Sequence, residues 1–389
     1  MINEYIDVES CCGCGACVAA CSHNSIMMFP NAAGFLYPVV DEMTCKNCGL
    51  CVRVCPVLSS SERDSDTAVF WAKAKDGNHL ISSSSGGVFG LLAKRFLEGD
   101  SAVYGAAFAD KCRVVRHVRV DDVLNLDSIM RSKYVQSEIS LEIYRQVETD
   151  IRNGKYVLFS GTACQVSGIR KYLLQKRLDI SRLLLVDVIC HGVPSPKLWA
   201  AWLDFLVENE GSKIDSVNFR SKSTGWLTFS LSYKHESEKV NTCRFSSDWY
   251  MKAFLSNASL RPSCFRCLSK RSCGSDITLG DFWGIQSVHS EINYENGISA
   301  VIANTEKGLT AFELISELID FGDSGFSKVV FGNPALIASV EPFSEYASFM
   351  DAIKKDCDIR TMHHRWNFEP SSIQKLYRKL RTLKQKLFS

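Results

Sequence analysis

ESCCGCGACVAACSHNS, residues 9–25, places five cysteines where a four-ligand motif needs only four. Counted from Cys11, the run is C-x2-C-x2-C-x3-C through Cys14, Cys17 and Cys21, the spacing that holds 4Fe–4S clusters. Counted from Cys12, the first interval fails. A second run, CKNCGLCVRVCP, has Cys45, Cys48, Cys51 and Cys55. One constant offset carries the first run onto the second: 11 to 45, 14 to 48, 17 to 51 and 21 to 55. Position 46 is lysine, so Cys12 has no partner at that offset and is the spare. Pro56 follows the second run, whereas Ser22 follows the first; this loosens a turn without removing a ligand.

In two-cluster ferredoxins the fourth cysteine of each run ligates the other cluster. The expected quartets are therefore Cys11, Cys14, Cys17 and Cys55, and Cys45, Cys48, Cys51 and Cys21. A zinc site also uses CxxC pairs, but it does not call for the extra C-x3-C step twice at one offset. Between the runs, SIMMFPNAAGFLYPVVDE reads as two short strands about a turn at 31–34. Residues 1–58 are thus expected to form a ferredoxin-type module whose clusters replace an ordinary core. SSSERDSD, residues 59–66, has the composition of a linker.

The 389 residues suffice for this module and one larger domain. Lys and Arg exceed Asp and Glu by two (45 against 43), which directs the chain neither toward nor away from polyanions; no nucleic-acid partner is expected. The opening MINEYIDVES lacks the basic and apolar regions of a signal peptide, and no apolar run reaches membrane-spanning length. Seventeen cysteines, tight spacing and an odd count favour metal over disulfides. The expectation is a cytoplasmic protein in a reducing compartment, with little oxygen about it.

From residue 68 onward, strand-like runs (VFWAKA, AVYGAAF, YVLFSG, LLLVDVI, ITLGDFW, SAVIAN) alternate with helical stretches such as EISLEIYRQVETDIRNG and PKLWAAWLDFLVEN. Such alternation predicts a mixed α/β domain. Residues 214–245 read as consecutive strands, so winding is not purely βαβ and the chain overall is α+β in part. The terminal PSSIQKLYRKLRTLKQKLFS has Ile373, Leu376, Leu380, Leu383 and Leu387 at helical spacing, a cap at Ser371 or Ser372, and an all-basic opposite face. It suits docking on the body or on a partner, or lying at the inner face of an anionic membrane.

Four further cysteines attract notice. Cys164 follows a strand ending in glycine, Cys190 ends another, and Cys264 and Cys267 form a CxxC. Ligands collect at strand carboxyl ends in α/β sheets; buried small hydrophobes, zinc or a third cluster all suit these residues. Cys112, Cys243, Cys273 and Cys357 carry no spacing signal. A Cys190–His191 nucleophile pair is disfavoured, because neighbours on a strand face opposite ways.

Together these blocks resemble the coenzyme F420 hydrogenase/dehydrogenase beta-subunit family, in the form fused to an N-terminal two-cluster ferredoxin domain. The resemblance rests on SSSSGGVFG (82–90), SKYVQS (132–137), VLFSGTACQ (157–165), DVICHGVPSP (187–196), NFRSKSTGW (218–226), RPSCFRC (261–267) and SDITLGDFWG (275–284), and spans about residues 1–345. It implies a flavin domain over residues 67–355, followed by a tail at 356–389, and an FAD-dependent oxidoreductase joining 4Fe–4S clusters to a two-electron substrate, coenzyme F420 or a related one. It also implies a third cluster on Cys164, Cys190, Cys264 and Cys267. FAD would lie against Ser84, Ser85, Gly86, Gly87, Lys133, Tyr134, Gln136 and Gly161, with His191, Asp281 and Trp283 lining the same cleft.

Asp281 and Trp283 suit a structural turn and a core aromatic equally well. Ala163 stands where the family commonly has proline, and Cys273 where it usually has another residue; neither departure removes a ligand. SSSSGGVFG adds small residues opening a helix, whose N–H groups suit phosphate. With no G-x-G-x-x-G after a strand and no Walker A run, NAD(P) and ATP are poor candidates. The implied partner is a redox protein, a ferredoxin or a hydrogenase or dehydrogenase subunit. Two other functions remain open: a ferredoxin-fed reductase in surface-polysaccharide biosynthesis, and a non-catalytic electron-transfer subunit.

Overall fold

A computed structural model of the chain describes residues 1–58, 68–270 and 272–368. The expected linker at 59–66 and the C-terminal basic helix lie outside the described residues. Among the described residues, no helix is long and apolar enough to cross a membrane.

Residues 1–58 contain the antiparallel hairpin β1 (Ile26–Pro30) and β2 (Leu36–Val40), with Ile26 opposite Val40 and Pro30 opposite Leu36. Its turn is tied by Asn31, whose Oδ1 accepts the N–H groups of Ala33 and Phe35 at 3.0 and 3.1 Å. Gly34 completes the turn at φ +83°, and a Cβ there would lie 2.7 Å from Lys197 N. That contact seats the hairpin on helix Pro196–Glu210. Buried Ser195 fastens the joint: its Oγ caps the helix by accepting Leu198 N–H and donates to Ala33 O at 2.7 Å.

The larger domain is built on nine strands: β3 (Ala68–Ala74), β4 (Ser101–Ala109), β5 (Val114–Val120), β6 (Ser137–Glu138), β7 (Tyr156–Thr162), β8 (Leu183–Val188), then, after a separate sheet, β12 (Ile277–Asp281), β13 (Ser299–Ala303) and β14 (Ile319–Asp323). Their order is β14-β3-β13-β12-β8-β7-β4-β5-β6. The centre, β12-β8-β7-β4, is parallel throughout, while β13, β3 and β14 extend one side antiparallel. Continuous apolar runs explain the centre: Leu183 to Val186 and Val157 to Phe159 are buried, as strands covered on both faces must be.

The separate three-stranded antiparallel sheet is β9 (Ile214–Ser221), β10 (Ser230–His235) and β11 (Val240–Arg244), in order β11-β10-β9. It packs with helices Pro196–Glu210 and Trp249–Leu255 around Trp199, Phe219, Trp249 and Tyr250. Deleting a ring of this size costs about 3–5 kcal/mol, so this cluster anchors the second sheet against the first.

Candidate redox site

The duplicated spacing extends into the backbone. Gly15 and Gly49, which follow Cys14 and Cys48, stand at φ +81° and +75° and open the short helices Ala16–Ala20 and Leu50–Arg53. Left-handed geometry makes glycine the natural residue there, and the turn lets three cysteines of each run face one point. Cys17 has Cys11 and Cys55 as close neighbours, Cys14 has Cys17 and Cys55, and Cys55 has Cys11. Cys21, Cys45, Cys48 and Cys51 instead line a second hollow with Met1, Lys46 and Arg53. Cys55 thus lies with the cysteines of the first run, although Cys17 also has Cys51 as a neighbour. Cys11, Cys14 and Cys55 are buried, whereas Cys48 is exposed.

A third group converges at the carboxyl ends of the parallel strands. Cys164 lies in the first turn of helix Ala163–Gln175 beyond β7, and Cys190 follows β8. Cys264 and Cys267 sit in and after the short turn Pro262–Arg266. All four line a pocket with about 50 Å³ of free space, and Cys12 reaches it too. Burial, followed by the neighbouring thiols, pushes Cys264 far up, and burial pushes Cys190 up to about 12. Bare thiolates are therefore disfavoured, and the donor set fits a cationic iron core that takes only thiolates. Val193 N–H already points at Cys264 Sγ (3.4 Å), and Thr162 Oγ1 lies 3.3 Å from Cys164 Sγ. Among the described residues, no three His, Cys, Asp or Glu side chains are gathered closely enough to hold a single metal ion.

Beside this pocket opens a cavity of about 660 Å³, within the 300–1,000 Å³ range of cofactor sites. The two share a wall: Thr162, Gln165 and residues 188–193 line both. Gln165 fixes that wall, accepting Thr162 N–H at 3.0 Å and donating to Ser137 O at 2.9 Å.

The structure places Ser84, Ser85, Gly87, Lys133, Tyr134 and Gly161 on the large cavity, together with His191, Asp281 and Trp283. Gly86 lies behind that surface: its N–H donates to Ser299 Oγ, and a Cβ would meet Ala72 O at 2.2 Å. Gln136 lines the smaller pocket, donating to Cys12 O at 3.0 Å and accepting from Arg261. His191 Nε2 is 2.7 Å from Asn257 Oδ1, and burial lowers its pKa, so the neutral ring donates there through Nε2–H.

Arg220, Lys222, His117 and Arg261 do not stand out in the sequence. Arg220 and Lys222 lie in NFRSKSTGW, where two cations at alternate strand positions read as a solvated face. Instead Arg220 is 2% exposed and grips Asp281 with two bonds of 2.8 and 2.9 Å. Burial opposes its charge, but Asp281 and Tyr134 outweigh that and hold its pKa above the ordinary value. Its guanidinium lies 4.1 Å from the Phe229 ring centre and 5.0 Å from that of Trp283, which stacks on Trp226. Arg220 also donates to Ser84 O, and Lys222 to the carbonyls of Leu80, Ser85 and Asn296. These cations hold the Ser/Gly loop by its carbonyls. Helix Val88–Phe96, entered through Gly87 at φ +85°, lines the cavity with its first turn, Val88, Phe89 and Gly90.

Residues 154–321 match the family model that describes the C terminus of the coenzyme F420 hydrogenase/dehydrogenase beta subunit. That segment belongs to the F420 hydrogenase/dehydrogenase beta-subunit family. Residues 10–58 match the 4Fe-4S dicluster domain, so the chain carries an iron–sulfur cluster domain at its N-terminus. β7, β8 and β12, with Cys164, Cys190, Cys264 and Cys267, all fall inside the beta-subunit segment. Among solved structures, a chain of the F420-reducing [NiFe] hydrogenase complex from Methanosarcina barkeri is similar at 17% identity, covering 80% of this chain and 94% of that one, with a TM-score of 0.47. No curated protein matches the sequence.

Proposed function

We propose that this beta-subunit-type chain is an iron–sulfur flavoprotein oxidoreductase with three 4Fe–4S clusters and one FAD. The observation that carries this reading is the wall common to the thiol pocket and the large cavity, Thr162, Gln165 and residues 188–193. A cluster in the one and a flavin in the other would stand back to back. Clusters supply single electrons and a flavin accepts or gives a pair, so the adjacency suits exchange between a one-electron partner and a two-electron substrate.

The chain's own residues divide the remaining work. The helix N-terminus at Gly87 and Val88 would receive the cofactor's phosphates. Lys133, Tyr134 and Arg220 would face its polar edges, and Trp283 with Phe229 and Phe254 would close the apolar faces. His191, neutral and donating to Asn257 through Nε2, would offer Nδ1 as a proton acceptor. Exposed Cys48 marks the outer quartet as the end that meets a redox partner protein. The substrate class is a deazaflavin such as coenzyme F420 or a hydride carrier of similar shape.

Anaerobic purification followed by iron and flavin analysis tests this reading. The expected content is about twelve iron atoms, from three cubanes, and one FAD per chain. About eight iron atoms and no flavin would replace the enzyme with a relay subunit. Reduced F420, compared with reduced ferredoxin, should then bleach the bound flavin.

A further inference from the structure

Two arginines are buried among the described residues, Arg220 and Arg261. Arg220 has Asp281 to balance its charge. Arg261, with none of its surface exposed, has no carboxylate against it among the described residues. Its Nε donates to Cys11 O at 2.7 Å, Nη1 to Gln136 Oε1 at 3.1 Å and Nη2 to Leu36 O at 2.8 Å. The Tyr37 and Phe35 ring centres lie 4.2 and 5.4 Å from the guanidinium. These oxygens satisfy its N–H groups and the ring faces favour a cation, but none of them carries a charge. A cation buried without a counter-charge is strongly destabilising, so a negative group is called for.

Arg261 crosses the seam between two cysteine groups. On one side the guanidinium lies over the loop from Cys11 to Cys14: beside the bond to Cys11 O, a Cβ on Gly13 would stand 2.7 Å from Nη1. On the other side Arg261 lines the thiol pocket with Cys164, Cys190, Cys264 and Cys267. Its backbone is built into the loops that carry those cysteines. The N–H donates to Val193 O at 2.9 Å, shortly beyond Cys190, and the carbonyl accepts Cys264 N–H at 2.9 Å. Gln136, which also donates to Cys12 O at 3.0 Å, steadies the Nη1 end. With all three nitrogens engaged, the charge is fixed in place.

We propose that Arg261 is a fixed counter-charge shared by the inner ferredoxin quartet and the third quartet, holding up the reduction potentials of both clusters. The proposal rests on the three-quartet reading above. Four thiolates around an iron–sulfur cube leave the assembly net negative, and more so once reduced. A buried cation between two such sites therefore favours the reduced state of each, and it is screened little by salt. Lys46 and Arg53, which line the outer hollow, are exposed and screened by water. The buried charge thus biases an electron away from the outer quartet and toward the two inner ones.

The test is an EPR-monitored redox titration of the full chain, purified anaerobically, with Cys264→Ser and Cys48→Ser assigning the third and outer signals. Arg261→Gln should make both inner clusters harder to reduce, on the order of tenfold in the reduced-to-oxidised ratio, or about 59 mV, and leave the outer cluster unchanged. Arg261→Lys keeps the charge and should stay close to wild type. Gln136→Glu reaches the same end without touching the arginine, since it sets a carboxylate beside Nη1; it should lower the same two potentials. Gln136→Met loses the same hydrogen bonds without adding charge and should not. Should Arg261→Gln lose iron, the Gln136 pair decides. Wild-type potentials in Arg261→Gln would overturn the proposal, as would an equal shift at all three clusters or a shift in Gln136→Met as large as in Gln136→Glu. A wild-type chain with about eight iron atoms would instead defeat the three-quartet reading itself, and iron analysis settles that before any variant is made.

Discussion

Arg220 and Asp281 face each other as a two-pronged ion pair, with N–O distances of 2.8 and 2.9 Å, in the wall of the large cavity. Trp226 Nε1 adds a third bond to the same carboxylate at 2.8 Å. The guanidinium therefore cannot swing freely, and its position relative to Ser84 O, Tyr134 and Trp283 is fixed before any ligand arrives.

Asp281→Asn should release this guanidinium and lower flavin retention while leaving iron unchanged. Breaking one side of a buried pair costs about 3–5 kcal/mol, so a fall in melting temperature should accompany the loss. Arg220→Lys keeps the charge but not the fork, and it should bind flavin more weakly than wild type. Flavin-to-iron ratios after gel filtration check both.

Cys190→Ser and Cys264→Ser should each remove about four iron atoms and spare the ferredoxin quartets. Because Cys190 lies on the wall common to both cavities, its variant should also perturb the flavin's visible spectrum. Iron analysis together with EPR of the dithionite-reduced protein separates the centres.

Gly86→Ala would drive a methyl group into Ala72 O and Ser299 N, 2.2 and 2.6 Å away. The Ser/Gly loop must move, so flavin should be lost first and iron kept. A Gly77→Ala control, where a Cβ meets nothing within 4 Å, should leave both cofactors in place.

Burial, then the Arg131 charge, lowers Lys133 to about 7, against smaller opposing effects of Asp127 and Cys112. The unfolded chain keeps this lysine protonated up to its ordinary value, so between about 7 and 10.5 the unfolded state binds more protons. The cost of the buried charge is thus fully present below pH 7 and is relieved as pH rises. Affinity for an anionic group in the cavity should follow the opposite course, falling as pH passes 7. Binding titrations of wild type and Lys133→Met across pH 6–9 should show that slope in the first and lose it in the second.

The ferredoxin quartets are legible from spacing because one constant offset fixes both runs at once. The strands of the central sheet are legible for a similar reason: LLLVDVI and YVLFSG are apolar without alternation, as two-sided burial demands. β14 is not, since Ile319–Asp323 buries only Ile319 and looks like any edge segment. Arg220 escapes because charge at alternate strand positions normally marks a solvent face; its burial depends on Asp281, which stands far along the chain at the end of β12. Arg261 escapes likewise. It precedes Pro262 and reads as a loop cation, yet it is fully buried, 4.2 Å from the Tyr37 ring centre.

That burial bears on how freely such a chain could exchange its parts. Of the acceptors Arg261 reaches, Cys11 O and Leu36 O belong to the N-terminal module and only Gln136 to the larger body. Gly13, at φ +72°, admits the guanidinium where any Cβ would strike it at 2.7 Å. A foreign dicluster unit grafted in front of this larger body would have to bring two free carbonyls and a bare backbone to the same spot, or strand a cation in the seam. The fusion therefore behaves less like beads on a thread than like a lock cut for one key.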